Sequence, residues 1–122
     1  MSSDNREFKK VMCEFLFYEN LSRIAYQSYI NDGSKFIYAT LLFDYNESAR
    51  NILVKNLQYF NEDIIEFIYP LVFHYDIWMK SWLNLNNQKI HNLQDEFKFE
   101  NNIGFPHKSV EKIKETLNNI KK

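Results

Sequence analysis

The sequence predicts an all-α fold, a single-domain helical bundle of three long helices followed by a shorter C-terminal one. Three observations carry that prediction. Apolar residues recur at three- and four-residue spacing over most of the chain, the period of a helix with one buried face. Glycine and proline number only two each among 122 residues, whereas hairpin-rich folds need turn residues at every corner. Eight Tyr, eleven Phe and two Trp each bury enough area that a few helices suffice for a core.

The first helix is expected to begin near Asp4, which with Glu7 forms a D-x-x-E capping pair. It should end at Asn31-Asp32-Gly33, with Gly33 in the left-handed conformation that closes a helix. Its apolar stripe runs from Phe8 through Phe15 and Ile24 to Tyr29 and shifts face midway. That suits a helix touched by different neighbours along its length. The second segment, Ser34 to Phe60, has the cleanest pattern. Tyr38, Leu41, Leu42, Tyr45, Ala49, Ile52, Leu53 and Phe60 fall on one side, with Asp44, Glu47, Asn51 and Lys55 opposite. Asp44-x-x-Glu47 can restart a helix, which marks a kink near Asp44.

Asn61 reads as the N-cap of the third helix, with Glu62 and Asp63 in its first turn. Phe60 and Ile65 then take the two positions of a hydrophobic staple. Pro70 falls inside this helix and should kink it, because proline removes a backbone donor and crowds the preceding turn. Ile90, Leu93 and Phe97 stay roughly in phase, so the helix is extended to about Gln94. Phe97 to Phe105 reads as a loop, and Pro106 as the first residue of a last helix seamed by Val110, Ile113, Leu117 and Ile120. Residues 1–122 show no internal repeat and no linker, so one domain is expected.

Composition narrows the function. A net charge of −1 and a pI near 6.3 disfavour nucleic acid as the partner, since phosphate neutralisation calls for a positive excess. Cys13 is the only cysteine, so neither an intrachain disulfide nor a CxxC metal pattern exists. The polar start lacks the apolar core of a secretory signal, and no stretch of about 18 apolar residues predicts a membrane span. A cytoplasmic protein is the expectation. The bias toward Asn, Ile, Lys, Phe and Tyr fits an AT-rich bacterial or phage genome.

A di-iron bundle needs paired E-x-x-H motifs, and neither His74, His91 nor His107 has Glu three residues before it. His91 and Asp95 have metal-ligand spacing but lie on the polar side of a fading helix, where two solvated side chains are the simpler reading. Cys13 as a nucleophile needs a histidine beside it in space, and a free cysteine is more often a small buried hydrophobe. No G-x-S-x-G elbow or phosphate-cradling loop is present. Helical ribonucleases of the HEPN type carry Arg followed four to six residues later by His, and Arg6, Arg23 and Arg50 have no such follower. No catalytic, cofactor or metal residue is assigned, and the chain is expected not to be an enzyme.

Two clusters stand out. On a helical wheel Asp76 falls among apolar positions near His74 and Lys80, which predicts a partly buried carboxylate paired with Lys80, Arg23 or Arg50. Asp44, Glu47, Glu62, Asp63 and Glu66 gather near the second and third helices as a candidate partner-binding surface, or as a merely solvated face. Aromatics exceed what a four-helix core needs, and Tyr26, Tyr59, Tyr69 and Trp78 are candidates for surface contact groups. The expected function is therefore an immunity or antitoxin protein that caps a basic, nuclease-type toxin domain. Two alternatives stand beside it: a helical enzyme or ligand-binding bundle with a pocket near His74 and Asp76, and a phage inhibitor of a host defence complex.

Overall fold

Local sequence and backbone hydrogen bonding set the helix limits in the computed structural model, which describes residues 2–98 and 104–121. Four helices form, and the described residues contain no strand: α1 (Ser2–Asn31), α2 (Phe36–Lys55), α3 (Glu62–Asn86) and α4 (His107–Lys121). The all-α bundle expected from periodicity is the fold observed. No helix among the described residues is long and apolar enough to cross a membrane.

The α1–α2 corner departs from the sequence reading in an instructive way. Gly33 takes a left-handed φ of 73°, as expected, but Ser34 follows it with φ 51°, and α2 therefore starts at Phe36 rather than Ser34. Lys35 at its N-cap offers no side-chain acceptor. The first amides of a helix still need partners, and here they come from far along the chain. Phe36 N–H donates to the Asp95 carbonyl at 2.7 Å and Ile37 N–H to the Leu93 carbonyl at 2.9 Å. Phe97 N–H returns a bond to the Ser34 carbonyl at 2.8 Å, making a single antiparallel bridge between Lys35 and Glu96. The Tyr29 hydroxyl donates to the Phe97 carbonyl. At the corner itself, the Tyr38 hydroxyl and then the Lys35 ammonium hold the Asp32 carboxyl below its usual range.

These bonds explain why α3 stops at Asn86 instead of Gln94. Asn84, Asn86 and Asn87 compete for their own backbone, and residues 87–98 do more as a cap over α2 than as added turns. Ile90, whose phase suggested a core position, is 94% exposed. At its other end α3 follows the sequence closely: the Asn61 side chain accepts from Ile64 N–H at 3.1 Å. Pro70 is accommodated within the helix, which continues on both sides of it. α2 likewise runs unbroken through Asp44 and ends at Lys55, before Phe60. There the Asn56 amide donates to the Ile52 carbonyl at 2.7 Å, and a single 3-10 turn follows at Leu57–Tyr59. α1 starts at Ser2, placing the Asp4–Glu7 pair inside the helix. Pro106 precedes the first residue of α4, where its carbonyl accepts from Ser109 N–H at 3.0 Å.

The core is built in two apolar blocks. One unites Phe8, Met12 and Phe15 of α1 with Ala49 and Leu53, Ile64 to Tyr75 of α3, and the Val110–Ile113–Leu117 seam of α4. The other is an aromatic cap in which Trp78, Trp82 and Phe97 close over Ala25, Tyr29, Ala39 and Leu42. Trp82 Nε1 donates to the Ala39 carbonyl at 3.0 Å, and Arg50 meets Asp76 at 2.9 Å; these pairs fix an antiparallel α2–α3 register. Between the blocks lies a polar layer of Glu19, Ser22, Asn46 and Tyr75. Its Ser22 hydroxyl donates to Asn46 Oδ1 at 2.6 Å.

The helical facing of α3 is directly testable. Leu71 is fully buried and Phe73, two residues on, is 63% exposed. We expect Leu71→Ala to cost about 3 kcal/mol of unfolding free energy and Phe73→Ala to change it by less than about 0.5 kcal/mol, read by urea denaturation of the two variants.

Candidate functional site

Burial of one side of α3 dictates what the other side shows. Ile64, Ile68, Leu71, Tyr75, Trp78 and Trp82 turn inward, so Glu62, Glu66, Tyr69, Phe73, Asp76 and Lys80 line the outer face at the same three- and four-residue spacing. All six are exposed. Tyr69 and Phe73 sit one turn apart with 65% and 63% of their surface open to solvent. Two adjacent large rings on a water-facing helix surface are costly to leave uncovered. Glu62, Asp63 and Glu66 stand at the N-terminal end of this face, where the helix dipole favours negative charge.

Beside the rings opens a groove of about 540 Å³ between α3 and the start of α4. Glu66, Phe67 and Pro70 form one wall, and Phe105, Pro106 and Lys108 the other. Pro70 has no N–H to give the Glu66 carbonyl, so that oxygen lacks its usual intrahelical donor at the groove's edge. Phe105 is held from beneath. Its ring meets His74 edge-on at 5.2 Å, His107 at 5.1 Å and Tyr75 at 6.4 Å. Lys112 caps the other side by lying 5.7 Å over the Phe67 ring.

His74 is buried under this contact. Desolvation holds its imidazole below the usual histidine range, the Gly104 backbone hydrogen bond opposes that shift, and the charge of His107 adds to it. Its Nδ1 has no hydrogen-bond partner among the described residues.

The five acidic positions fall into two groups. Glu62, Asp63 and Glu66 adjoin the groove and the exposed rings. Asp44 and Glu47 are exposed on α2, and with Arg50 level with Asp76 they lie roughly 20–30 Å further along the bundle at 1.5 Å per residue. The carboxylate expected to be partly buried, Asp76, is exposed: its Oδ1 accepts from Arg50 Nε at the surface between α2 and α3. Arg50 is its partner instead of Lys80, because Asp76 sits on the edge of α3 nearest α2. His74 faces the opposite edge, toward Phe105, so the two residues share no pocket. His91 and Asp95 lie in the segment after α3, where His91 packs against Phe36 and Phe97 and Asp95 Oδ2 accepts from Asn92 N–H at 2.8 Å. Cys13 is exposed, against the expectation of a buried small hydrophobe, because it falls on the side of α1 opposite Met12 and Phe15. Of the four aromatics singled out, Tyr26 and Tyr69 are exposed, Tyr59 is half-buried and Trp78 is buried.

Sequence reasoning missed Phe73, Phe105 and the buried Glu19. Glu19 was legible, since it continues the Phe8–Met12–Phe15–Ser22 spacing as a charged member of an apolar stripe. Its Oε1 takes two hydrogen bonds from Arg23, at 3.0 and 2.8 Å, while among the described residues Oε2 and the Tyr75 hydroxyl have no hydrogen-bond partner. Burial drives the Tyr75 hydroxyl far above its ordinary range. Among the described residues no group of three His, Cys, Asp or Glu side chains could hold a metal ion. The chain matches no protein-family model, and no curated protein or solved structure is significantly similar to it.

The His74 shift sets a pH dependence of known sign. An unfolded histidine titrates near 6.5, above the folded value, so the unfolded state binds more protons in the interval between them. Stability is therefore complete above about pH 6.5 and is lost as pH falls through the folded pKa. Denaturation of wild type and His74→Leu between pH 7.5 and 4.5 isolates this effect from the carboxylates common to both. The wild type should lose more stability than the variant over that interval, and parallel curves would refute the assignment.

Proposed function

We propose that this chain is a non-enzymatic protein-binding protein that neutralises a basic, nuclease-type toxin domain by covering its surface, as a bacterial immunity protein or antitoxin does. The observation that carries the reading is the outer face of α3. Tyr69 and Phe73 are exposed side by side, an apolar groove adjoins them, and Glu62, Asp63 and Glu66 supply negative charge at the same end. Rigid aromatic rings that lose little entropy on contact are the residues that anchor protein interfaces. A flanking acidic cluster speeds encounter with a basic partner and sets its orientation. The partner-binding assignment accordingly centres on Glu62, Asp63 and Glu66. Asp44 and Glu47 engage only a partner large enough to reach along α2.

The groove gives this docking a chemical direction. A partner segment entering between Pro70 and Phe105 meets an apolar floor and the Glu66 carbonyl, which accepts a donor from it. A lysine or arginine side chain suits that arrangement, its stem against the rings and its head at the carboxylates.

Tagged protein expressed in its own host should retain a basic protein at one-to-one stoichiometry. Tyr69→Ala combined with Phe73→Ala should weaken that complex at least about 30-fold, the loss expected for paired aromatic anchors. Glu62→Lys combined with Glu66→Lys should slow association, with the effect shrinking as salt is raised. Circular dichroism should show both variants folded. Absence of any stoichiometric partner, or a partner that both variants keep unchanged, defeats the reading.

A further inference from the structure

On the opposite side of the bundle α1 carries a second uncovered face with a different character. Lys10, Cys13, Phe17, Asn20, Ile24 and Gln27 follow one another at alternating spacings of three and four, the spacing that lets two helices pack along a common line. All six are exposed, Phe17 at 59% and Ile24 at 64%. The stripe is independent of the core stripe, because Met12, Phe15, Glu19 and Ser22 occupy the other side of the same helix. From Lys10 to Gln27 it runs about 25 Å at 1.5 Å per residue, with the half-buried Leu16 and Leu21 along its flanks.

We infer that this face binds a second copy of the chain, with the two α1 helices parallel and in register about a two-fold axis. From Cys13 to Gln27 the pattern is self-complementary in that arrangement, while the two Lys10 at its start repel and weaken the pair. Phe17 meets Phe17 and Ile24 meets Ile24 of the other copy, and the two Asn20 amides hydrogen-bond to each other. A polar residue in an apolar seam selects the register that satisfies it. Lys9 and Glu14, both exposed, take the flanking positions five residues apart that face each other across a parallel pair. Each Lys9 then meets the Glu14 of the other copy, twice by symmetry. The antiparallel alternative sets each Asn20 amide against a Phe17 ring, leaving a polar group without a partner. Three of the six seam residues are polar or charged (Lys10, Asn20, Gln27), so the association is reversible and concentration-dependent rather than obligate. The α3 face points away from this contact, so a dimer presents two docking faces outward.

The test uses the full chain. Light scattering after gel filtration, at loading concentrations from about 1 to 300 µM, spans the affinities of reversible interfaces of this size. We expect a shift from monomer to dimer in that range, and Ile24→Asp should raise the dissociation constant at least about 30-fold while circular dichroism stays that of the wild type. Phe17→Asp provides the same reading should the first variant fold poorly. Register is read at Cys13, which the parallel pair brings opposite its counterpart. With oxidised glutathione as the oxidant, two Cys13 thiols give one disulfide and two protons, while the reagent takes the two electrons and protons to become two glutathione thiols. Rapid covalent dimer formation in wild type, suppressed in Ile24→Asp, supports the arrangement. A monomer throughout the range overturns the inference, as does a dimer that both Asp variants retain. A dimer lost on Ile24→Asp but slow to cross-link through Cys13 overturns the parallel register, and an α1 face that binds only a different protein overturns the choice of occupant.

Discussion

The fold turns on the buried meeting of Phe15 of α1 and Tyr75 of α3, whose rings contact edge-on at 6.5 Å. Both side chains are essentially inaccessible to water. Below them the interior is mainly apolar, with His74 and Ser109 its buried polar members; level with them it becomes polar. Ser22 meets Asn46 there only while α1 and α2 keep the register that pairs them, whereas buried Glu19 is met from within α1 by Arg23. Unmet buried polar atoms are costly, so sliding α1 past α2 by a turn is opposed. Glu19 Oε2 and the Tyr75 hydroxyl, without a hydrogen-bond partner among the described residues, mark where this polar layer costs some stability.

The upper block answers a different need. α2 begins without a capping side chain, and its first amides would be left unmet at a buried corner. The segment 91–97 meets that requirement with its own carbonyls and sends Phe97 into the space between Phe36 and Trp82. A stretch of chain without helix or strand is thereby made part of the core. Phe105 performs a comparable service at the lower end, pinning the start of α4 over His74. Function and folding meet at that point, because the same ring forms one wall of the groove beside Tyr69 and Phe73.

With α1 and α3 committed inward along facing stripes, their outer sides are left pointing apart. Each outer side nevertheless carries two large apolar residues at helical spacing, Phe17 with Ile24 and Tyr69 with Phe73. Their surroundings separate them. The α3 pair lies among carboxylates and a groove, features suited to a chemically different partner. The α1 pair lies in a line that complements itself.

Periodicity, caps and corner residues in the sequence were enough to determine four helices, their order and most of their limits. Those features act over a few residues: Asn61 bonds Ile64 three positions on, and Gly33 needs only its own missing side chain to turn left. The α3 terminus and the exposure of Asp76 and Ile90 were decided by partners distant in sequence. Asp76 belongs at the surface because Arg50 is there to meet it, and α3 ends at Asn86 because Phe36 and Ile37, some fifty residues earlier, need the carbonyls that follow. A helical wheel ranks residues around one axis and carries no knowledge of which neighbour stands on which side. That is why the acidic residues looked like one patch, and why only packing divided them between the groove and the middle of α2.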